Sequence, residues 1–196
     1  MNVDVRVMAE SDIDHVVALQ SAFLEGSLVT EFGPGFLRRF HAGALSHAAT
    51  RGFVAVDGGA IAGFVLASLD VHGFNAHVKP RVLLPLAAAL VDPRRWHLAA
   101  SLLRAPFEPD PQPHIPGELL LLVVDARGRR RGIGRRLLSV LEGAFAKEGV
   151  SRYRVAVRSR LTVARAFYEA LGFEHEQDLT VLGQPMTYLT KRVDAR

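Results

Sequence analysis

An apolar run passes abruptly into a glycine- and arginine-rich segment near the middle of the chain, in the stretch GELLLLVVDARGRRRGIGRRLL at residues 117–138. Such a run is typical of a buried strand, and the leucines after the second glycine begin a helical pattern. The first amides of a helix have no intrahelical partner, and the helix dipole adds positive charge there. Glycines let an anion reach those amides without meeting a Cβ atom. The junction therefore favours a phosphate or diphosphate site, with a plain strand-to-helix turn as the structural alternative.

Two common phosphate motifs do not fit this junction. A Walker loop requires Gly-Lys-Ser or Gly-Lys-Thr, and neither triplet occurs in the chain. A dinucleotide fingerprint requires a third glycine, where this chain has Leu137, and an acid after the next strand. The candidate anion ligands are Arg129, Arg130, Arg131, Gly132, Ile133, Gly134 and Arg135.

The segment 129–134, RRRGIG, resembles the Arg/Gln-x-x-Gly-x-Gly/Ala signature of the GNAT superfamily of N-acetyltransferases. The segment 167–173, FYEALGF, is similar to the second motif of that family, a tyrosine near the end of a helix followed by Gly-Phe. The resemblance is clear from Glu118 to Phe173. It implies the GNAT fold, acetyl-coenzyme A as cosubstrate and transfer of its acetyl group to a primary amine.

The resemblance also implies catalytic roles for two side chains. Tyr168 occupies the position from which many members protonate the departing thiolate, and a phenol with a pKa of about 10 can donate at neutral pH. A tyrosine that only packs beside Phe167 is the alternative. Glu118 is the candidate base for the amine proton if burial beside Leu119 raises its pKa, and the alternative is an exposed strand-end carboxylate or one that only attracts the amine. Ordered water is the other route for that proton, and His72 and His114 are reserve candidates.

The rest of the coenzyme is expected to lie along the preceding strand. Main-chain groups of Val123 and Val124 should receive the pantetheine arm like an added strand, because the family's strand splays from its neighbour there. Many members have asparagine seven residues before the tyrosine, where this chain has Leu161. Thr162 or Ser159 is the expected substitute for that hydrogen bond.

The remaining periodicity, with the resemblance, predicts one α/β (α+β) domain over residues 1–196, with a mixed, mostly antiparallel central sheet flanked by helices. Ser11 is the expected N-cap of the first helix. Two apolar runs joined by Asp57-Gly58-Gly59 predict a β-hairpin at 52–69. A helical insertion is expected at about 70–114, between strands three and four. Other elements are expected as strands at 3–7, 118–124, 153–157, 173–182 and 185–192 and helices at 13–23, 35–47, 133–149 and 163–171.

Composition limits the class of protein. A chain of 196 residues with 49% hydrophobic and 22% charged residues can bury a core as a single domain. No apolar run is long enough to span a bilayer, and the first residues lack the apolar segment of a secretory signal. The chain has no cysteine, which excludes disulfides and thiolate metal ligands and leads us to expect a cytoplasmic protein without a metal.

Two competing functions remain open at this point. The net charge is +4, and the ten residues RGRRRGIGRR contain six arginines, which a nucleic-acid-binding module could use to neutralise phosphates. No recognition motif and few aromatic residues for base stacking accompany them. The other alternative is a GNAT-like domain that binds acyl-coenzyme A without turnover.

The acceptor is expected to lie against the first helices and the inter-strand loops. Glu25, Glu31 and Asp70 are the candidates for holding a cationic amine. The insertion would cover part of the pocket, which favours a small-molecule acceptor over a protein tail. No membrane partner is expected, and homodimerisation is left open.

Overall fold

A computed structural model of the chain describes residues 3–24, 28–89, 114–115, 117–181 and 183–193. Within these residues seven strands form one sheet in the order β1-β2-β3-β4-β5-β7-β6. Neighbouring strands are antiparallel except β4 and β5, which are parallel. The predicted mixed, mostly antiparallel sheet is therefore confirmed. The strands are β1 (Val3–Val7), β2 (Thr50–Asp57), β3 (Ala60–Ser68), β4 (Gly117–Val124), β5 (Arg152–Arg158), β6 (Glu174–Val181) and β7 (Gln184–Arg192).

Helices cover both faces of the sheet. They are α1 (Ile13–Phe23), α2 (Leu28–Glu31), α3 (Pro34–Leu45), α4 (Val71–Ala89), α5 (Ile133–Lys147) and α6 (Thr162–Glu169). Along β3, Val65 and Ala67 pack with the apolar face of α5, whereas Phe64 and Leu66 pack beneath α1 and α3. All four side chains are fully buried, so the sheet is the middle layer of three.

The predicted hairpin is present, because β2 and β3 pair through a turn at Gly58 and Gly59. Both glycines have positive φ, +59° and +84°, which residues with a Cβ atom rarely adopt. The predicted helix at 35–47 is present with slightly different bounds, because α3 begins at Pro34 and ends at Leu45. At the first position of a helix, the missing amide hydrogen of proline costs nothing.

The expectation that Ser11 caps the first helix is wrong. Residues Glu10–Asp12 form a short 3-10 turn, and α1 begins at Ile13. The Asp12 carboxylate accepts the Ala9 amide at 2.8 Å and two bonds from the Arg6 guanidinium at 2.7 and 2.8 Å. The Asp12 carboxylate therefore ties the turn before α1 to Arg6 and Ala9, and its side chain caps no amide of α1.

The connection between β3 and β4 begins with α4, which agrees with a helical insertion. Asp70 caps this helix, because its Oδ1 accepts the Gly73 amide at 3.0 Å. Phe74 and Val78 of α4 join the apolar cluster under α1 and α3. The rest of the expected insertion, residues 90–113, lies outside the described residues.

None of the described helices is both long enough and apolar enough to cross a membrane.

The pairing of β4 with β5 is short. It covers only Gly117 to Leu119 on β4 and Tyr153 to Val155 on β5. Beyond this point β4 continues to pair with β3 as far as Val124, and β5 continues to pair with β7 as far as Arg158. Residues 120–124 and 156–158 therefore flank a stretch without pairing, which we call the β4–β5 opening.

Candidate active site

The turn between β4 and α5 is held by contacts with its neighbours. The Asp125 carboxylate accepts the Arg127 amide at 2.8 Å, and the Asp125 amide donates to the Ala62 carbonyl on β3 at 2.9 Å. Gly128 is buried, and a Cβ atom there would lie 2.8 Å from Cδ1 of Ile133. Only glycine lets the turn pack this closely against the first residue of α5.

Main-chain amides at the start of α5 are free to bind an anion. Arg130 and Gly132 both have positive φ, +60° and +78°, so the backbone curls into a concave turn. The Arg131 amide faces the Gly128 carbonyl at a long 3.4 Å. The other amides of residues 130–135 have no acceptor among the described residues; they belong to Arg130, Gly132, Ile133, Gly134 and Arg135. Since the first turn of α5 carries no acid, these residues fit a diphosphate.

The arginines of this turn divide into two kinds. Arg129 lies over the ring of Phe23 at 5.4 Å, and Arg131 forms a 2.8 Å ion pair with Asp57. The side chains of Arg130 and Arg135 are exposed and bond to no other residue that the structure describes. Of the four predicted cationic ligands, these two have side chains available to an anion without loss of an existing contact.

Gly134 has a packing role in addition to its amide. A Cβ atom there would lie 3.1 Å from Cζ of Phe167 and 3.7 Å from Cγ2 of Val124. The glycine thus lets α5 approach both α6 and the end of β4. The turn at residues 130–135, which we call the anion-binding turn after the role that we propose for it below, is thereby placed close to Phe167, the residue that precedes Tyr168.

The β4–β5 opening contains the residues predicted to hold the pantetheine arm. Val123 and Val124 lie within it, paired with β3 on one side only. The pairing of β4 with β3 is also irregular. Leu66 faces Leu121 and the next residue, Ala67, faces Leu119, so Leu120 is the extra residue of a β-bulge. An edge with unpaired main-chain groups can accept an extended ligand as if it were a strand.

Tyr168 lies near the end of α6 and is buried, with 7% of its surface exposed. Its ring packs edge-on against Phe167 and Phe173, at centroid distances of 5.3 and 5.1 Å. Burial raises the pKa of Tyr168 above the usual range of a phenol. The hydroxyl has no hydrogen-bond partner among the described residues, so it remains protonated and available as a donor.

Glu118 lies beside a buried cation, a partner that the sequence did not predict. Its Oε2 lies 2.8 Å from Nε of Arg154, and only 18% and 3% of the two side chains are exposed. The two residues are paired across β4 and β5 just before the strands separate. The candidate base is therefore one half of a buried ion pair at the closed end of the β4–β5 opening.

Sequence reasoning overlooked Arg154, although a signal was present. Along β5, Tyr153, Val155 and Val157 belong to the core under α5, so Arg154 and Arg158 face the opposite side of the sheet. This alternation was visible in the sequence as cationic residues between core positions. What could not be read was the partner, because Glu118 lies 36 positions away.

The substitute hydrogen-bonding residues, Thr162 and Ser159, and the reserve bases, His72 and His114, are either exposed or bonded to other side chains. Thr162 is exposed at the first position of α6, while the Ser159 hydroxyl lies 3.1 Å from that of Thr187. His72 and His114 are both exposed. In the described parts of the chain no three histidine or carboxylate side chains lie together as a metal site would require.

The predicted acceptor carboxylates have different positions. Glu31 lies on α2 and is close enough to Arg158 to influence its pKa. Asp70 caps α4, so its carboxylate already has a structural task. Glu25 lies outside the described residues. Of the two candidates that the structure describes, Glu31 is thus the one near the β4–β5 opening.

Comparison with solved structures shows the fold of this chain in other proteins. SsHAT is 23% identical with a TM-score of 0.75, and the match covers 99% of this chain and 100% of that one. The ribosomal-protein-S18-alanine N-acetyltransferase from Escherichia coli is 15% identical with a TM-score of 0.62, over 98% and 94%. PaiA N-acetyltransferase from Thermoplasma acidophilum, in complex with coenzyme A, is 14% identical with a TM-score of 0.65, over 98% and 99%. At these identities the structures show the fold alone.

The sequence itself identifies the family. No curated protein sequence matches the chain. The profile of the Acetyltransferase (GNAT) family matches residues 17–173, which include the anion-binding turn, the β4–β5 opening and Tyr168. The chain therefore belongs to the GNAT family of acetyltransferases, which use acetyl-coenzyme A.

Proposed function

We propose that the protein transfers the acetyl group of acetyl-coenzyme A directly to the amine of a small molecule. The observation that carries this proposal is the set of five unpartnered amides within residues 130–135, next to the β4–β5 opening. The diphosphate of the coenzyme matches the unpartnered amides, and the extended pantetheine arm attached to it matches the β4–β5 opening. Because the chain has no cysteine, a thiol acyl-enzyme is excluded, which supports direct transfer.

Several elements of this chain would hold the coenzyme. Gly132 and Gly134 let the diphosphate reach the amides, and Arg130 and Arg135 neutralise its charge. The open edge of β4 at Val123 and Val124 would bond the pantetheine arm. When bound, acetyl-coenzyme A supplies the acetyl group as a thioester, whose sulfur leaves as a thiolate.

Tyr168 is the proposed proton donor to that thiolate. Its hydroxyl is protonated over the whole physiological range because burial raises its pKa. Its ring is held by Phe167 and Phe173, so the hydroxyl has a defined position without using a hydrogen bond of its own. A donor positioned in this way contributes roughly a hundredfold to ten-thousandfold in rate.

Glu118 is the proposed acceptor of the amine proton. The amine must lose this proton before it can attack the thioester. Either a carboxylate near the β4–β5 opening or a chain of water molecules must accept the proton. Arg154 fixes the Glu118 carboxylate at the closed end of that opening. The remaining 18% exposure of its side chain leaves room for the amine or one bridging water.

A small acceptor is supported by the packing on the face opposite α5. Phe32, Phe36 and Leu37 form a closed apolar layer with Phe74 and Val78 of α4. This layer lies over the sheet on the side where the acceptor is expected. A covered site of this kind suits a free amine better than an extended polypeptide segment.

The deciding experiment is a panel of amines, polyamines, amino acids and aminosugars incubated with acetyl-coenzyme A, with released thiol as the readout. Peptides with an N-terminal alanine belong in the same panel, because the related Escherichia coli enzyme is named for an alanine of ribosomal protein S18. We expect turnover with a small amine and not with the peptides. Turnover with peptides alone would contradict the small-molecule assignment, and coenzyme binding without thiol release would favour a non-catalytic domain.

A further inference from the structure

Arg158 is a cation whose position is not explained by packing alone. It is the last residue of β5, three positions beyond Val155, where pairing with β4 ends. Its side chain is half-buried and lies on the same face of the strand as Arg154. Arg158 therefore lines the β4–β5 opening on the face turned away from α5.

The two arginines of this face differ in their partners. Arg154 is bonded to Glu118 at 2.8 Å. The Arg158 side chain forms no hydrogen bond and no ion pair with any residue that the structure describes, and its main chain pairs with β7 and accepts the Leu161 amide. Glu31 on α2 acts on it only through space, and this attraction is smaller than the effect of burial and of neighbouring Arg160, which together lower the pKa of Arg158.

A half-buried guanidinium without a bonded partner is unfavourable in the protein alone. Removing a charge from water costs free energy that a counter-ion must offset. An arginine that had only a structural role could lie in solvent, as Arg160 does. The arrangement is instead the one expected of a group that receives its counter-ion from a ligand.

The position of Arg158 identifies which ligand this is. The coenzyme diphosphate is expected at the amides before α5, on the other face of the sheet. The first helices, against which the acceptor is expected, pack on the face that Arg158 lines. We propose that Arg158 binds a carboxylate of the acceptor, so that the substrates are amines that also carry a carboxylate, as amino acids do. This inference rests on the function proposed above.

The chemistry of the side chain sets the expected size of the effect. A guanidinium presents two parallel N–H donors that match the two oxygens of a carboxylate, which the single ammonium of lysine does not. A charge-assisted bond of this kind corresponds to about a tenfold to hundredfold change in affinity. Arg158→Met should therefore lose this affinity for the carboxylate, and Arg158→Lys should retain only part of it.

The test uses amino acids and the amines formed by removing their carboxylate. Phenylalanine is compared with phenethylamine, arginine with agmatine, and ornithine with putrescine, each at saturating acetyl-coenzyme A. For the wild-type protein we expect kcat/KM to be about tenfold to hundredfold higher for the carboxylate-bearing member of at least one pair. Arg158→Met should abolish that preference, mainly through KM. Arg160→Met is the matched control, and it should retain the preference.

A binding measurement reads the same site without turnover. N-acetylphenylalanine and N-acetylphenethylamine are titrated calorimetrically into the protein in the presence of coenzyme A. Tighter binding of the carboxylate-bearing compound that disappears in Arg158→Met, but not in Arg160→Met, supports the inference. Equal binding of both compounds, or a preference unchanged in Arg158→Met, overturns it.

The outcomes separate this inference from the function on which it rests. If coenzyme A binds and some amine is acetylated without any carboxylate preference, the inference fails and the acetyltransferase proposal stands. If coenzyme A does not stabilise the wild-type protein against heat, both fail. Coenzyme affinity itself should be the same in Arg158→Met as in the wild type.

Discussion

Tyr168 and Tyr153 lie in the same apolar cluster, but their hydroxyl groups have different surroundings. The Tyr153 hydroxyl donates to Glu142 at 2.7 Å, and Lys191 bonds the same carboxylate oxygen at 2.6 Å. The Tyr168 hydroxyl bonds to no residue that the structure describes. One tyrosine is therefore committed to the fold, whereas the other keeps its donor for a ligand.

This difference makes the two tyrosines a matched pair for mutation. Tyr168→Phe should lower kcat by roughly a hundredfold to ten-thousandfold with little effect on coenzyme affinity, because only proton donation is lost. Tyr153→Phe should leave kcat unchanged and lower the free energy of unfolding by about 1–2 kcal/mol. Steady-state kinetics and urea unfolding measure the two effects. Unchanged turnover in Tyr168→Phe would reduce that residue to a packing role.

His41 provides a prediction about pH. Its ring is fully buried, Nε2 lies 2.7 Å from Oε1 of Gln20, and burial lowers the pKa of His41 to about 4. The unfolded chain binds this proton near pH 6.5, so the contribution to stability is complete above that value and is lost as the pH falls towards 4. Between pH 7 and pH 5 the loss should be about 2 kcal/mol.

Urea unfolding at these two pH values measures that loss. The variant Gln20→Leu/His41→Phe removes both polar side chains together, so neither is left buried without a partner. Its stability should change less than that of the wild type between pH 7 and pH 5. An equal change in both proteins would show that other groups cause the pH dependence.

At the scale of the element, the turn before α5 combines two left-handed residues, of which one is not glycine. Arg130 has φ +60°, which costs about 1 kcal/mol or more in a residue with a Cβ atom. Such strain persists where the surrounding structure imposes it, and it often accompanies a ligand site. Here it belongs to the curl that leaves the amides of α5 without partners.

Gly132 and Gly149 allow the role of that turn to be tested. They lie before and after α5 with φ +78° and +73°, and a Cβ atom at either position would meet nothing within 4 Å. Each Gly→Ala change should cost about 1–2 kcal/mol in stability from backbone strain. Only Gly132→Ala should weaken coenzyme binding, by more than about tenfold, because its Cβ atom meets the diphosphate. Calorimetric titration measures the affinity, and equal effects at the two glycines would contradict the proposed cradle.

At the scale of the whole molecule, the excess of positive charge left a nucleic-acid-binding module as an alternative function. Arg129 and Arg131 of the basic segment contact Phe23 and Asp57, which favours the diphosphate site that we propose over that alternative. The basic segment also surrounds a concave set of amides, which suits a compact diphosphate. A long polyanion would instead require a continuous basic surface.

Thermal unfolding distinguishes these two partners. Acetyl-coenzyme A at about one hundred times its dissociation constant should stabilise the protein by about 2.7 kcal/mol. For a domain of this size, that raises Tm by about 5–10 °C. Single-stranded DNA should give a smaller shift that disappears at moderate salt. A larger, salt-sensitive shift with DNA than with the coenzyme would reverse the assignment.

Features set by neighbouring residues could be predicted from the sequence alone. The hairpin at Gly58 and Gly59, the strand leading into Val124 and the amphipathic face of α5 depend on local backbone preference and on the spacing of apolar side chains. The anion-binding turn belongs to this class, since glycine positions and a helix start suffice to predict free amides. For this reason the sequence alone was enough to predict the family resemblance and the general fold.

Features that join distant parts of the chain required the tertiary structure. The pairing of β4 with β5 for only three residues, and hence the opening beyond them, depends on the twist and register of the whole sheet. The same holds for the ion pair of Glu118 with Arg154 and for the position of Arg158 beside α2. A sequence shows that arginines alternate with core residues along β5, but which charge each one meets is decided by the strand and helix packed against it. The sequence by itself thus determined the turn whose amides we propose to bind the coenzyme, and only the packing of the sheet decided the surroundings of Glu118 and Arg158.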